Sequence, residues 1–469
     1  MNNSHIISIL RIFSKKEIRE LRKWLSSPIH NQRDDVAQLF DYLTASNHLE
    51  EEKFLNKDRI FVKLFPKEPY DDAKLRQTIH FFSKAVEAYI IYKERSEDEF
   101  ETNLALAGFY RKRKLDKLFK KTIKRVETLQ IESPIRDKVF FEKEFSLYNE
   151  KQLFKSGKKR TVSLNLQNYS DALDLDYLAK KMYQTCIILT HQRVFKENCN
   201  IGLLDQVLEY VEKNQFFNSP AISIYYYGCK TLTVPEGTTY FKNLKSEIEQ
   251  YGHQFTHSEI RDIYLMAINY CIGRMNAGNE NFVKEAFDLY REGLSKEILI
   301  EGNVVSRFTF LNVIRIGLRL KEFDWVDHFI TQYEKYLESR HRESIVHYSR
   351  SRLYFEKKDY SNAMRLLVQV EYDDILINLN AKTMLLKMYY EQDEFDALEF
   401  LLDSLRTYLN RKEVVGYHKA NYQNIIRFTK KLTRVTPYRD DQKNKLEKEI
   451  QEASPLTEKE WLLQQLKMA

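Results

Sequence analysis

Apolar residues recur along this chain at steps of three and four, in runs of helix length separated by short polar turns. The first run has a defined start. Ser14 with Glu17 three places on is the pairing of a capping box, and Phe13 with Ile18 forms the matching hydrophobic staple. Ile18, Leu21 and Leu25 then share one face, and Ser26-Ser27-Pro28 ends the helix. A second helix is predicted over about 34–45, and a third after Asn56 as far as Phe65-Pro66. Asp71 or Asp72 opens a longer one, in which Leu75, Ile79, Phe82, Val86 and Tyr89 are spaced 4-3-4-3. Two heptads are too few for an independent coiled coil, so this seam is expected to pack on neighbouring helices.

From about Asp98 the runs come in pairs. One ends at Phe109-Tyr110, the polar turn Arg111 to Lys114 follows, and a partner carries Leu115, Leu118, Thr122 and Val126 on its apolar side. Lys155 to Leu166 interrupts the series with Ser156-Gly157, a basic run and an alternation of Val162, Leu164 and Leu166, which reads as an exposed loop or insertion. A long helix over about 175–195 resumes the array, and Pro220 and Pro235 mark two further helix starts. Thr256 with Glu259 is another capping box, opening a helix that runs through Tyr270, and its partner contains Val283, Ala286 and Tyr290. The next pair ends its first helix near Leu320 and carries Phe323, Val326 and Ile330 in its second. Leu353-Tyr354-Phe355-Glu356 then precedes Tyr360, Ala363 and Leu367. Thirty-five residues on, Met388-Tyr389-Tyr390-Glu391 precedes Phe395, Leu398 and Leu402. After Ser454-Pro455, Thr457 with Glu460 and Leu456 with Trp461 predict a closing helix.

Composition sharpens this. The 469 residues include 12 Gly and 8 Pro, where average usage would give about 33 and about 23. Few chain breakers, abundant aromatics and a match at one fixed offset describe an all-α fold, an α-solenoid of antiparallel helix pairs with a helical N-terminal unit. The expected division is a helical unit over 1–96, degenerate helical pairs over 97–255 including a basic segment and the loop 155–166, and repeats closed by a capping helix over 256–469.

The repeat residues resemble the tetratricopeptide repeat. That pattern has an aromatic near the end of its first helix, an aromatic six residues on, a small residue three further and a large apolar residue four beyond. Tyr354, Tyr360, Ala363 and Leu367 fit all four places; Tyr389, Phe395 and Leu402 fit three, with Leu398 at the small position. Departures are plain too: Ser351 and Leu386 stand where the family has glycine, Arg350 falls at an apolar place, and the closing proline is missing. The likeness covers about residues 256–410, weakens over 98–255 and is absent before that. The whole chain also resembles uncharacterised bacterial tetratricopeptide-like proteins with a helical N-terminal unit, a likeness that brings no known activity. The resemblance to the tetratricopeptide repeat implies a non-catalytic scaffold that docks a peptide or partner protein along a groove lined by first helices. Tyr348, Arg352, Phe355, Thr383, Lys387 and Tyr390 are the groove candidates.

Charge adds one alternative. Between Arg111 and Arg160 there are 17 Lys/Arg against 7 Asp/Glu, a local +10 in a chain of net +7, which leaves −3 for the rest. Arg111, Arg113, Lys117, Lys120, Lys121 and Lys124 mark this segment, and the four lysines follow a helical stripe. The readings are a solvated face, an acidic protein partner, or nucleic-acid phosphates. Metal binding is not expected at His253 and His257, since Thr256 at the cap leaves His253 in the preceding loop. Asp71-Asp72, Asp373-Asp374 and Asp440-Asp441 stand at predicted helix starts, where capping explains them. No nucleotide-binding loop, nucleophile elbow or zinc-protease motif is present, so neither catalysis nor a cofactor is expected. Scattered cysteines (Cys186, Cys199, Cys229, Cys271), no export signal and no apolar run of the roughly 18 residues that span a bilayer point to the cytoplasm and away from a membrane partner.

Overall fold

Short polar side chains open many helices of this chain by taking up N–H groups of the first turn. In the computed structural model, Ser14 Oγ accepts from the Glu17 backbone N–H at 3.3 Å while the Glu17 carboxylate accepts from Ser14 N–H at 2.7 Å, the predicted capping box. Asn56, Asp71, Asp98, Asp137, Ser306 and Asp374 cap the helices that follow them. The structure describes residues 1, 4–157, 166–195, 198–234, 237–368, 374–411, 416–435 and 440–468. Val162, Leu164, Pro235 and Asp373 lie outside the described residues. Those described are all-α, with 23 α-helices, four 3-10 turns and one isolated bridge between Glu301 and Val304. No described helix is long and apolar enough to cross a membrane. The chain divides into two compact units, Met1–Lys181 and Met182–Ala469.

The first unit contains α1 (His5–Ile12), α2 (Lys15–Leu25), α3 (Asp34–Leu43), α4 (Lys57–Leu64), α5 (Asp72–Glu97), α6 (Glu99–Lys112), α7 (Asp116–Glu132) and α8 (Lys138–Ser156); the division falls within α9 (Gln167–Phe195). The heptad seam of α5 is buried inside the unit. Leu75, Phe82, Val86 and Tyr89 join Ile7, Leu21, Leu39 and Phe61 in one core, with α2, α3 and α4 packed on α5. A second cluster is shared by α6, α7 and α8 and contains Phe100, Ala107, Phe119, Ile123, Val126 and Leu147. Here one expectation changes. Leu115 and Leu118 are 42% and 44% exposed, because α7 opens only at Asp116 and turns Phe119, Thr122, Ile123 and Val126 inward.

The second unit continues with α10 (Leu204–Asn214), α11 (Pro220–Thr233), α12 (Thr238–Tyr251), α13 (His257–Asn276), α14 (Asn281–Ser295), α15 (Arg307–Arg319), α16 (Phe323–Tyr333), α17 (Ser339–Glu356), α18 (Tyr360–Val368), α19 (Ile375–Glu391), α20 (Phe395–Arg411), α21 (Gly416–Leu432), α22 (Asp440–Glu452) and α23 (Lys459–Met468). From α13 to α21 each helix packs on the next in sequence. In addition α11 packs on α13, α15 on α17, α17 on α19, and α21 on α23.

Four hairpins of the second unit turn in the same way. Gly278, Lys321, Lys358 and Asp393 adopt positive φ. The N–H of the following residue in each case bonds to a carbonyl of the helix just ended: Asn279 to Arg274, Glu322 to Gly317, Asp359 to Tyr354, Glu394 to Tyr389. This is the Schellman closure, in which glycine is the usual left-handed residue. Three of these four turns use a residue with a side chain instead, which is one reason the chain contains so few glycines. Where a glycine is needed, packing demands it: a Cβ on Gly317 would lie 2.6 Å from Val326 Cγ2 and 3.3 Å from Phe287 Cε2, so α15 approaches α16 through bare backbone.

Other readings shift at their edges. Thr256 makes no side-chain cap, and Glu259 is 1% exposed, its N–H held by the Thr256 carbonyl at 3.1 Å while its side chain turns inward. Phe395 is 46% exposed although Leu398 and Leu402 beside it are buried. The closing helix opens at Lys459, past the predicted Thr457 cap.

Candidate functional site

Steps of three and four place matching side chains along one side of α15, α17 and α19. The rows are Asn312, Arg315 and Arg319 on α15; Ile345, Tyr348, Arg352 and Phe355 on α17; and Asn380, Thr383, Lys387 and Tyr390 on α19. Because α17 packs directly on both α15 and α19, these rows are neighbours. Arg315, Arg352 and Lys387 follow one another at intervals of 37 and 35, the same intervals that separate the turn residues Lys321, Lys358 and Asp393. One cation therefore recurs at the equivalent place in three successive hairpins.

The chain itself satisfies the third. Lys387 Nζ donates to Glu458 Oε2 at 2.8 Å and lies 5.2 Å from the Phe355 ring centre and 5.9 Å from that of Trp461. Trp461, on α23, donates through Nε1 to Glu391 Oε1 at 2.8 Å and meets Tyr390 edge to face, with ring centres 5.5 Å apart. Tyr360 Oη and Lys358 Nζ donate to the other Glu391 oxygen. Burial works against the Glu391 charge, but hydrogen bonds from Tyr360, Trp461 and Lys358 outweigh it and hold the carboxyl below its usual range.

The other two cations differ. Arg315 and Arg352 have no carboxylate partner among the described residues. Arg315 is exposed on the surface of α15, and Arg352 is half-buried. The Arg315 guanidinium is pushed below the ordinary arginine range by burial, and further by Arg352 and Arg319, with Tyr348 opposing. Arg319 is paired with Glu280. Beyond them, a cavity of about 660 Å³ lies between α13, α15 and α17, walled by Asn269, Asn312, Arg340 and His341 together with the ion pair Arg261–Glu301 (2.9 Å) and Arg307, which itself pairs with Asp374 (3.6 Å).

Of the sequence-derived candidates, Tyr348, Phe355 and Thr383 are buried, and Thr383 Oγ1 donates to the Leu379 carbonyl at 2.9 Å. Lys387 and Tyr390 are covered by the Glu458–Trp461 segment, while Arg352 is half-buried, with no ion-pair partner among the described residues. Arg315 escaped the motif comparison, yet its 37-residue distance from Arg352 is a signal the sequence carries.

In the first unit the basic segment separates into two groups. Arg111 forms a two-pronged bond to Glu150, Nε to Oε2 at 2.8 Å and Nη2 to Oε1 at 3.1 Å. Arg113 stacks over the Phe109 ring at 3.7 Å. Lys117, Lys120, Lys121 and Lys124 are exposed on the side of α7 away from its packed face, with no ion-pair partner among the described residues. Phe119 is buried against Phe154 at 4.0 Å and leaves no ring on that surface for stacking.

His253 sits in a 3-10 turn, and His257 opens α13 with Nε2 3.1 Å from the Glu297 carbonyl. Cys186 and Cys229 are buried side by side, Sγ to Sγ 3.6 Å, and Cys199 is exposed. No known protein family, curated protein or solved structure matches this chain.

Proposed function

We propose that the second unit is a tetratricopeptide-like α-solenoid acting in the cytoplasm as a non-catalytic interaction scaffold, with an acidic segment of a protein partner held along α15 and α17. The packing of α15 on α17 and of α17 on α19, together with the repeated hairpin turn, supports the architecture. One observation carries the partner's chemistry. Lys387 is met by a carboxylate and an indole from the chain's own closing segment, Glu458 and Trp461, while its equivalents Arg315 and Arg352 are met by nothing comparable among the described residues. Two neighbouring guanidinium groups without counter-charge repel one another, and a bound carboxylate offsets that repulsion through charge-assisted hydrogen bonds.

The test is affinity purification from the native cell with nuclease treatment, comparing wild type with Arg315→Glu/Arg352→Glu. Partners recovered by the wild type are expected to be lost from the reversed variant, since removing one side of such a pair costs about 2–5 kcal/mol of binding. Equal recovery from a folded variant refutes the reading.

A second reading rests on Lys117, Lys120, Lys121 and Lys124, which stand ready for a polyanion such as nucleic acid. It predicts binding that falls steeply with salt, with a shallower slope for Lys117→Gln/Lys121→Gln/Lys124→Gln. Fluorescence anisotropy with labelled RNA and DNA decides it, and no binding at low salt ends it.

A further inference from the structure

A second cavity, of about 340 Å³, opens where α9, α11 and α13 meet within the second unit. Its volume lies at the lower end of the range for small-molecule sites, about 300–1,000 Å³. The walls are mainly apolar: Ile187, Ile224 and Met266 contribute aliphatic and thioether surface, and Ile187 is 47% exposed. Two aromatic walls, Tyr183 and Tyr225, stand edge to face with ring centres 5.6 Å apart. Into this setting α13 brings one carboxylate. Asp262 accepts a hydrogen bond from Tyr183 Oη at 2.7 Å; among the described residues the lining includes His191 but no lysine or arginine. Burial and the bond to Asp262 push the Tyr183 hydroxyl above its usual range, so the tyrosine stays a neutral donor, and Asp262 has no ion-pair partner among the described residues.

A carboxylate and two electron-rich ring faces beside an aliphatic wall complement one ligand chemistry. We propose that this cavity binds a small organic cation, an ammonium group on an apolar ring or chain, with the ammonium on Asp262 and the tyrosines and the apolar body against Ile187, Ile224 and Met266. The carboxylate supplies a charge-assisted hydrogen bond, the rings supply cation–π attraction, and the aliphatic wall supplies the apolar contact. An anion of the same shape meets Asp262 repulsively, and a neutral isostere loses the charge term. The site is separate from the arginine row and does not depend on what that row binds.

Calorimetric titration of the full chain at neutral pH with phenethylammonium, 2-phenylethanol and phenylacetate tests it. The ammonium is expected to bind, the alcohol to bind about tenfold or more weakly, and phenylacetate not to bind. Asp262→Asn should weaken the ammonium about tenfold or more. Ile187→Lys, at an exposed wall position, should abolish binding by placing a cation of the chain's own in the cavity, while circular dichroism stays unchanged. A capped lysine peptide that competes with phenethylammonium assigns the natural cation to a partner's side chain, and one that does not assigns it to a free amine; both support the site. No ammonium binding, equal binding of amine and alcohol, or unchanged affinity in folded Asp262→Asn and Ile187→Lys overturns it.

Discussion

The two ends of one helix row, α19 at one and α15 with α17 at the other, carry the same kind of cation under opposite conditions. At α19, Lys387 is sheltered by Glu458 and Trp461, and Glu391 gathers three hydrogen-bond donors. At α15 and α17, Arg315 and Arg352 face each other's charge with no carboxylate supplied by the described chain. The difference teaches that one repeated cation is met in two ways: at α19 the chain covers it with an acid and an aromatic ring, and at α15 and α17 the described residues supply no acid.

The largest expected effect is at the closed end. Trp461→Ala removes a buried indole and should lower stability by about 3–5 kcal/mol in urea denaturation, most of it in the second unit. A smaller loss, about 1.5–3 kcal/mol, is expected for Glu391→Gln, since the hydrogen bonds it breaks involve a charged acceptor. The same residue sets a pH dependence. Its carboxyl is depressed in the folded state, so its stabilisation is complete above the unfolded value near 4.3 and is lost as pH falls through the folded one. Wild type should therefore lose stability on acidification below about pH 4 more steeply than Glu391→Gln. A parallel acid limb in thermal melts would show that α23 is held by apolar contact alone.

At the open end the sign reverses. Arg315→Gln with Arg352→Gln should raise stability by about 0.5–1 kcal/mol, because two neighbouring like charges that repel are removed. A loss of stability there would erase the contrast between the ends. Smallest of all, Lys117→Gln and Lys121→Gln should stay within about 0.5 kcal/mol of wild type, since the lysines of α7 are fully solvated and crowd nothing.

Local features were readable in the sequence because local physics makes them. The Ser14–Glu17 box and the caps at Asn56 and Asp71 involve residues two or three apart, and the structure contains all of them. The seam of α5 was legible because its spacing leaves one side to bury. Contacts between distant segments were not. Nothing near Phe355 or Thr383 announces their burial, and nothing near Lys387 announces that residues 71 and 74 places later, Glu458 and Trp461, will cover it. Thr256 illustrates the same limit at short range: its box fails because the Glu259 side chain is drawn into the packed interior. The recurrence of Arg315, Arg352 and Lys387 lay between these cases, visible once the intervals of 37 and 35 are applied to polar as well as apolar positions.

The meeting of Cys186 and Cys229 has a practical consequence. A Cβ at Gly228 would come within 2.9 Å of Cys186 Sγ and 3.0 Å of Met266 Cε, so three helices are drawn together there without slack. Burial raises the Cys229 thiol well above its normal range, with Cys186 adding to it, so Cys229 offers no thiolate to an alkylating reagent while the helices stay in contact. Maleimide uptake at Cys229, timed against the exposed Cys199 of the same molecule, is thus a stopwatch for how often this crossing breathes apart.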